Sequence, residues 1–375
     1  MNSQLFRRIA ILVSFCATCA YFVIRTLGID SPRGDFGSLL MWGLYTAEVH
    51  GAVLLFSYFY QVWNTRKIPT KEPLEGRTVD VFLPTYNEDA QLVRGTIQAL
   101  LAIEYPHRVY VLDDGQRDEI RALAESMGAE YIARDENIHA KAGNINHALE
   151  QTSGEFVAIF DADHIPSKRF LHQTLGFFRD PEVAFVQTPH AFYNFRSFCS
   201  SWSSKATKYW EEGTLFHRMV QTAKTHANAN IFCGSSAVFR RAALEDVGLI
   251  ATETITEDMH TGLRLHANGW KSIGIPDRLV AAQAAHDLST YQTQRLRWCE
   301  GNMSILWHDN PLTMPGLSVR QRLHYLGSLA GWTAGFSRTV MYAIPVLVLL
   351  TGTAPVRMTP LLLSLCALHV TMAWL

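Results

Sequence analysis

The chain has 375 residues, enough for two ordinary domains. Charged residues make up 18% of it, below the roughly 25% usual in soluble proteins, and the shortfall is concentrated in a few apolar runs. A formal net charge of −1 gives no support for nucleic-acid binding.

The first apolar run, Ile9 to Ile24, carries no charge and is edged by Arg7, Arg8 and Arg25. A helix crossing a bilayer needs about 20 apolar residues. No small-residue cleavage site follows the run and a second one starts almost at once, so it is read as an uncleaved span rather than a signal peptide. The second run covers about Gly37 to Trp63, and the third about Tyr325 to Leu350. A fourth starts near Thr359 and is cut off at Leu375. Arg7 and Arg8 precede the first span, and Arg66, Lys67, Lys71 and Arg77 follow the second. The short loop between the spans offers only Arg25 and Arg33 beside Asp30 and Asp35. That bias predicts a cytoplasmic N-terminus and a cytoplasmic central domain. The expected layout is two transmembrane helices in 1–64, a cytosolic domain ending in interfacial helices in 65–320, and in 321–375 one more span plus the start of another.

Ionisable groups inside a span are costly and face protein or water. Glu48 and His50 in the second span are therefore expected to pair with another span, with Arg338 a candidate partner, or else to line a polar path. Gly327, Gly331, Gly335 and Pro345 suit a closely packed, kinked third span. Of the six cysteines, Cys16 and Cys19 share a helix face inside the first span as small packing residues. Cys199, Cys233, Cys299 and Cys366 read as reduced thiols.

From Val79 onward, strands and helices alternate. Strands are predicted at Val79 to Leu83, Arg108 to Leu112, Glu130 to Ala133 and Phe156 to Phe160. Helices are predicted at Asp89 to Ile103, Arg117 to Met127 and Ala140 to Gln151. This spacing argues for an α/β domain on a parallel, doubly wound sheet. Such sheets bind ligands beyond the carboxyl ends of their strands, and here those ends are acidic. The first strand runs into Pro84-Thr85-Tyr86-Asn87-Glu88, the second into Asp113-Asp114-Gly115, and the fourth into Asp161-Ala162-Asp163. Converging carboxylates repel unless a cation joins them, and Mg²⁺ or Mn²⁺ with open positions for phosphate fits such ligands. The helix opening at His139-Ala140-Lys141-Ala142-Gly143-Asn144 adds a lysine and an N-terminus, both favourable to phosphate. A dinucleotide fingerprint and a phosphate-cradling Gly-Lys-Ser/Thr loop are both missing, which disfavours a dehydrogenase or an ATPase.

Downstream, Thr256-Glu257-Asp258 opens a helix from Met259 to Ala267; its acids could serve chemistry or only cap the helix. Gln294-Arg295-Leu296-Arg297-Trp298 offers two arginines for phosphate oxygens and a flat ring for a sugar, or else the polar face of a helix lying at the membrane surface. The aromatics of Phe192 to Phe195 and Trp202 to Trp210 are read as core more readily than as sugar contacts.

These motifs, together with Gln187-Thr188-Pro189-His190 and Phe232-Cys233-Gly234-Ser235, occur in an order that resembles the bacterial cellulose synthase catalytic subunits and their relatives among family 2 glycosyltransferases. The resemblance covers about residues 37 to 350. It implies a GT-A fold, Rossmann-like and mostly parallel, flanked by transmembrane helices in a bacterial inner membrane. It further implies processive, inverting transfer of a sugar, glucose from UDP-glucose foremost, to a growing polysaccharide, with partner subunits for export. Carried over, Tyr86, Glu88 and Asp113 would hold the uridine end of the UDP-sugar, with Asp114 near it. Lys141 and Arg297 would meet the diphosphate, and Asp161 and Asp163 would organise the metal. Asp258 would be the general base, while Cys233, Gln294 and Trp298 would border the acceptor. The rival readings are a non-processive transferase acting on a lipid or other acceptor, and an inactive nucleotide-binding module that regulates a partner synthase. The chain stops inside its fourth apolar run and lacks the gating loop and cyclic-di-GMP domain of the cellulose enzyme, which suggests truncation. Cys299-Glu300-Gly301-Asn302-Met303 also departs from the pattern, leaving cellulose, a β-1,3-glucan or another β-glycan as the expected product.

Overall fold

A computed structural model describes residues 3–28, 34–66, 68–194, 200–201, 210–211, 213–356 and 359–374. Asp30, Arg33, Lys67, Phe195, Cys199 and Trp202 lie outside the described residues. The chain divides into two compact units, Met1–Arg66 with Leu323–Leu375, and Lys67–Arg322.

Helices α1 (Ser3–Leu27) and α2 (Gly34–Gln61) come first. The second unit carries α3 (Ala90–Leu101), α4 (Asp118–Met127), α5 (Ala140–Gln151), α6 (Glu257–Ala267) and α7 (Leu288–His308). Helices α8 (Val319–Ala330), α9 (Ala334–Thr351) and α10 (Pro360–Trp374) follow.

In the first unit, α1 packs against α10 and α2 against α9. Among the described residues, three stretches are long and apolar enough to cross a membrane: Gln4–Leu27, Phe36–Gln61 and Val319–Thr351. The two N-terminal helices run antiparallel, with Gln4 bonded to Asn64, the Phe15 and Phe56 rings 4.6 Å apart, and Tyr21 donating to Glu48 at 2.9 Å. Glu48 pairs with Arg25 at 3.5 Å rather than with Arg338. The reason is that α1 runs on to Leu27, which carries Arg25 off the expected loop and buries it beside α2. His50 instead shares a hydrogen bond of 2.9 Å with Thr333. The third apolar run also differs from a single kinked helix. It breaks at a 3₁₀ turn, Gly331–Thr333, while Pro345 sits within α9. Glycine is a poor helix former, and the Thr333 hydroxyl donates to the Ala330 carbonyl at 2.7 Å, a local bond that competes with the helical ladder.

The second unit is built on a seven-stranded sheet. In chain order the strands are β1 (Val79–Thr85), β2 (Arg108–Asp113), β3 (Glu130–Ile132), β4 (Phe156–Ile159), β5 (Val183–Gln187), β6 (Ala237–Arg240) and β7 (Lys271–Gly274). They lie in the order β7-β5-β6-β4-β1-β2-β3. Alternate side chains of β1 enter opposite layers, as the two-residue period of a strand requires. Val81 and Leu83 join a core with Val93, Ile97 and Ile120, whereas Phe82 joins another with Ile145, Ala148 and Leu265. Helix ends follow local chemistry. The Asp89 carboxylate accepts from the Gln91 amide at the start of α3, and Gly128, at a φ of 85°, ends α4.

The sheet is mostly parallel, but β6 runs antiparallel to both β4 and β5. A four-residue strand of this kind is too short to stand out from neighbouring apolar runs in sequence. Its direction matters, because its entry, Cys233 to Ser236, comes to lie at the edge where β1, β2, β4 and β5 end.

At the opposite edge, Arg241 donates to the Gly154 and Leu149 carbonyls at 2.6 and 2.7 Å and to buried Asp80 at 2.8 Å. Truncating one partner of such a pair leaves the other charged and dry. Arg241→Met is expected to cost about 3–5 kcal/mol of stability, read as a lower midpoint in thermal or denaturant unfolding of the purified protein.

Candidate active site

One cleft of about 750 Å³ opens above the carboxyl ends of the strands. Tyr86, Glu88, Asp114, Lys141, Asp161, Asp163, Cys233, Asp258, Gln294, Arg297 and Trp298 all line it. Of the residues anticipated from sequence, Asp113 alone does not.

Asp113 lies outside that lining. Its carboxylate is wholly buried and accepts from the Gly115 and Arg117 amides, the Arg117 guanidinium and the Tyr131 hydroxyl. With its oxygens so engaged, it frames the turn that carries Asp114. Asp114 is the acid on the cleft side, held by Arg134 through bonds of 2.6 and 2.9 Å. Glu88 closes its own turn, accepting from the Thr85 hydroxyl and the Tyr86 amide at 2.7 Å each. That leaves the Tyr86 ring exposed on the rim.

Arg134 also straps the entry to α5. It donates to the Ile138 and Ala140 carbonyls at 2.6 and 2.8 Å. Those bonds brace His139 and Ala140, which stand at φ of 61° and 43° in the left-handed region. The strained entry delivers Lys141 to the centre of the cleft, where its ammonium donates to the Asp161 carboxylate and, at 2.7 Å, to the Gly234 carbonyl. Burial alone would depress the Lys141 pKa, but the charges of Asp161, Glu257 and Asp258 outweigh it and raise it. Burial likewise opposes ionisation of Asp161, yet Lys141 and His164 hold its pKa below the usual carboxylate value.

Gly234 stands between the two acidic groups. At its φ of 78°, a Cβ would lie 3.2 Å from the Asp258 carboxylate and 3.7 Å from the Lys141 ammonium. The loop carrying it is fixed by Gln187, whose amide nitrogen donates to the Ser235 carbonyl and whose oxygen accepts from the Cys233 amide, both at 2.9 Å. Asp258, in the first turn of α6, accepts from the Met259 amide at 2.7 Å. Burial first, and then the neighbouring Glu257 charge, push its pKa up to about 7. Across the cleft, α7 supplies Gln294, Arg297 and Trp298, with the Arg295 guanidinium 4.5 Å over the Trp298 ring.

Asp161, Asp163 and His164 place one ligand atom each within 4.8 Å of one another. The His164 ring lies 2.9 Å from Asp163 and 3.9 Å from Asp161, and its other nitrogen is buried with no hydrogen-bond partner. Two carboxylates and an imidazole suit a divalent cation that accepts oxygen ligands.

A family model described as "Glycosyltransferase like family 2" matches residues 76–301, and one described as "Cellulose synthase" matches residues 245–375. The chain belongs to glycosyltransferase family 2. It is 40% identical over 354 residues to the UDP-forming cellulose synthase catalytic subunit of Pseudomonas fluorescens, covering 91% of this chain and 47% of that one. Cellulose synthase 2 of Novacetimonas hansenii is 39% identical over 360 residues, 93% of this chain and 22% of that one. The chain thus spans less than half the length of these relatives. Among solved structures, a mannosyltransferase from Pyrobaculum calidifontis in complex with GDP-Man and Mn²⁺ matches with a TM-score of 0.63 at 23% identity, covering 90% of this chain and 98% of that one. The GT-A fold expected from the sequence is the fold observed.

Two residues of this glycosyltransferase escaped the sequence reading: Arg134 and His164. His164 directly follows the Asp-Ala-Asp run, and that adjacency was the available signal. Arg134 gave none, because its target, Asp114, is distant in sequence. Asp113→Asn is expected to destabilise the fold by about 2–3 kcal/mol through loss of charge-assisted bonds. The folded protein should still bind UDP within about threefold of wild type, since RT ln 3 is only about 0.65 kcal/mol. Titration calorimetry beside a melting curve separates the two effects.

Proposed function

We propose that this chain carries the catalytic part of a membrane-embedded, processive, inverting glycosyltransferase. Its donor is a UDP-sugar, UDP-glucose foremost, and its acceptor is the growing end of a β-glycan such as cellulose or a β-1,3-glucan. The observation that carries this reading is the juxtaposition across Gly234, where a carboxylate with a pKa near neutrality faces a lysine bound to Asp161, the first acid of the Asp-Ala-Asp run. The similarity to cellulose synthase catalytic subunits supports the polymer reading over transfer of a single sugar.

Asp114 and the exposed Tyr86 ring are positioned to take the nucleoside, with Glu88 keeping the turn between them closed. Lys141 and Arg297 meet the diphosphate from two sides of the cleft. Asp161, Asp163 and His164 are the residues to hold Mg²⁺ or Mn²⁺, which when bound offsets the negative charge gathering on the departing UDP. Asp258 accepts the proton of the acceptor hydroxyl. As the new bond forms to the anomeric carbon, the bond to the UDP oxygen breaks on the opposite face, giving inversion. Trp298, with one face covered by Arg295, leaves the other for the acceptor ring, and Gln294 and Cys233 border that place.

The apolar helices α1, α2 and α8–α9 would hold the enzyme in the plasma membrane with its GT-A unit in the cytoplasm, and partner subunits would serve export. The domain limits 1–64, 65–320 and 321–375 belong to the same proposal.

Asp258→Asn is expected to keep UDP affinity while turnover falls about 10³-fold, the middle of the range of general-base contributions. Because the Asp258 pKa is raised, its base form is lost as pH falls. Turnover at saturating donor should therefore climb between about pH 6 and 8 and level off above. A flat profile over that range would contradict the assignment. Asp163→Ala should weaken UDP binding in the presence of Mg²⁺ or Mn²⁺ without altering the metal-free value. Product sizing after incubation with UDP-glucose tests the polymer reading: long chains support it, and single additions or binding without turnover refute it.

A further inference from the structure

Asp258 and Arg297 sit on different helices, yet an inverting displacement needs base and phosphate clamp at a fixed separation. Among the contacts between α6 and α7, two bear on their spacing. The first is steric: a Cβ at Gly301 would come within 2.8 Å of the Thr256 backbone nitrogen, so α7 abuts the residue that precedes α6. The second is polar and lies at the far end of α7, where Asp309 caps the helix through its amide to the Ile305 carbonyl. The Asp309 carboxylate accepts from the His260 ring at 2.7 Å and from the Arg264 guanidinium at 2.8 Å. His260 is wholly buried, and its second nitrogen accepts from the Thr254 hydroxyl at 3.2 Å. Arg264 continues to Glu253 at 2.9 Å. The loop that leads to the base is thus bonded, through His260 and Arg264, to the end of the clamp helix.

Resting on the reading of Asp258 as the base, we propose that His260 is a positioning residue which, through Asp309, fixes α6 against α7 and so sets the distance between Asp258 and the Arg297–Trp298 turn. The steric stop at Gly301 and the tether at Asp309 are eight residues apart, about 12 Å along the helix. Two points define the relative orientation of two rods, whereas one point leaves a pivot. Without the tether, the first turn of α6 is held only by its packing on the sheet and by Gly301, leaving room for a small shift, while the nucleotide side, built on β1, β2 and α5, stays in place.

The test uses purified protein with UDP-glucose, following kcat, the KM for donor, UDP affinity and the melting temperature. His260→Ala and Asp309→Ala should each lower kcat by about 30- to 100-fold, as displacement of a reacting group by about 1 Å does. Donor KM and UDP affinity should stay within about threefold, and the double variant should be no worse than either single one. His260→Gln and Asp309→Asn, which keep a donor and an acceptor at the contact, should recover most of the turnover. Unchanged kcat in both alanine variants, losses that multiply in the double variant, or UDP affinity falling in step with kcat would each overturn the proposal. Should the alanine variants fail to fold, His260→Leu and Asp309→Leu take their place in the same comparison. An Asp258→Asn control separates the two layers. Turnover persisting in that control refutes the base itself, whereas its loss beside a fully active His260→Ala refutes only the positioning role.

Discussion

The Lys141 ammonium, bonded at once to the Asp161 carboxylate and the Gly234 carbonyl, is the contact on which the cleft depends. Asp161, Asp163, Glu257 and Asp258 all face one partly water-excluded space, and like charges there repel strongly. One cation at their centre lets acids from two distant parts of the chain share it. The backbone arrangement follows from that need. The left-handed entry at His139 and Ala140 aims the lysine inward, and the antiparallel β6 returns Gly234 to meet it. A nucleotide diphosphate arriving with a divalent cation would bring both signs of charge, so Lys141 can exchange a carboxylate for phosphate without leaving a bare ion behind.

Much of this was legible in the residues. The alternation of β-propensity runs with 3.6-period segments placed β1 to β4 and α3 to α5 nearly as observed, because each is a local pattern with its own capping or turn chemistry. The acidic strand ends followed from the sheet's polarity. Contacts set by distant partners were not legible. Asp113 and Asp114 are adjacent and chemically identical, and only the positions of Arg117 and Tyr131 on one side and Arg134 on the other decide which is framework and which lines the cleft. The same holds for β5 to β7, whose short apolar runs acquire direction only when the sheet has formed. Glu48 shows the point in an apolar helix. Its partner Arg25 could be found only once α1 was known to continue past the apolar run and set the register of the pair.

Gly301 and His260 carry the same lesson into the site. Cys299-Glu300-Gly301-Asn302-Met303 looks in sequence like a departure from a pattern, with no chemistry of its own. In the structure the missing side chain is what lets α7 touch Thr256, and any larger residue would push the two helices apart. His260 reads as one more residue of an amphipathic helix, yet it is wholly buried and bonded at both nitrogens. Buried polar groups with every partner satisfied fix one geometry among several that apolar packing would tolerate.

Asp258 is pulled in two directions, and the balance suits its proposed task. The first turn of α6 and the Met259 amide stabilise its anion, as a helix N-terminus does. Burial and the charge of Glu257 oppose that, and they prevail. A carboxylate left at its ordinary pKa would be ionised at neutral pH but a poor acceptor for the proton of a sugar hydroxyl. One raised to about 7 is still substantially ionised and is a far better acceptor, which is the compromise a general base requires. Lys141 limits how far the rise can go, since its charge also reaches Asp258.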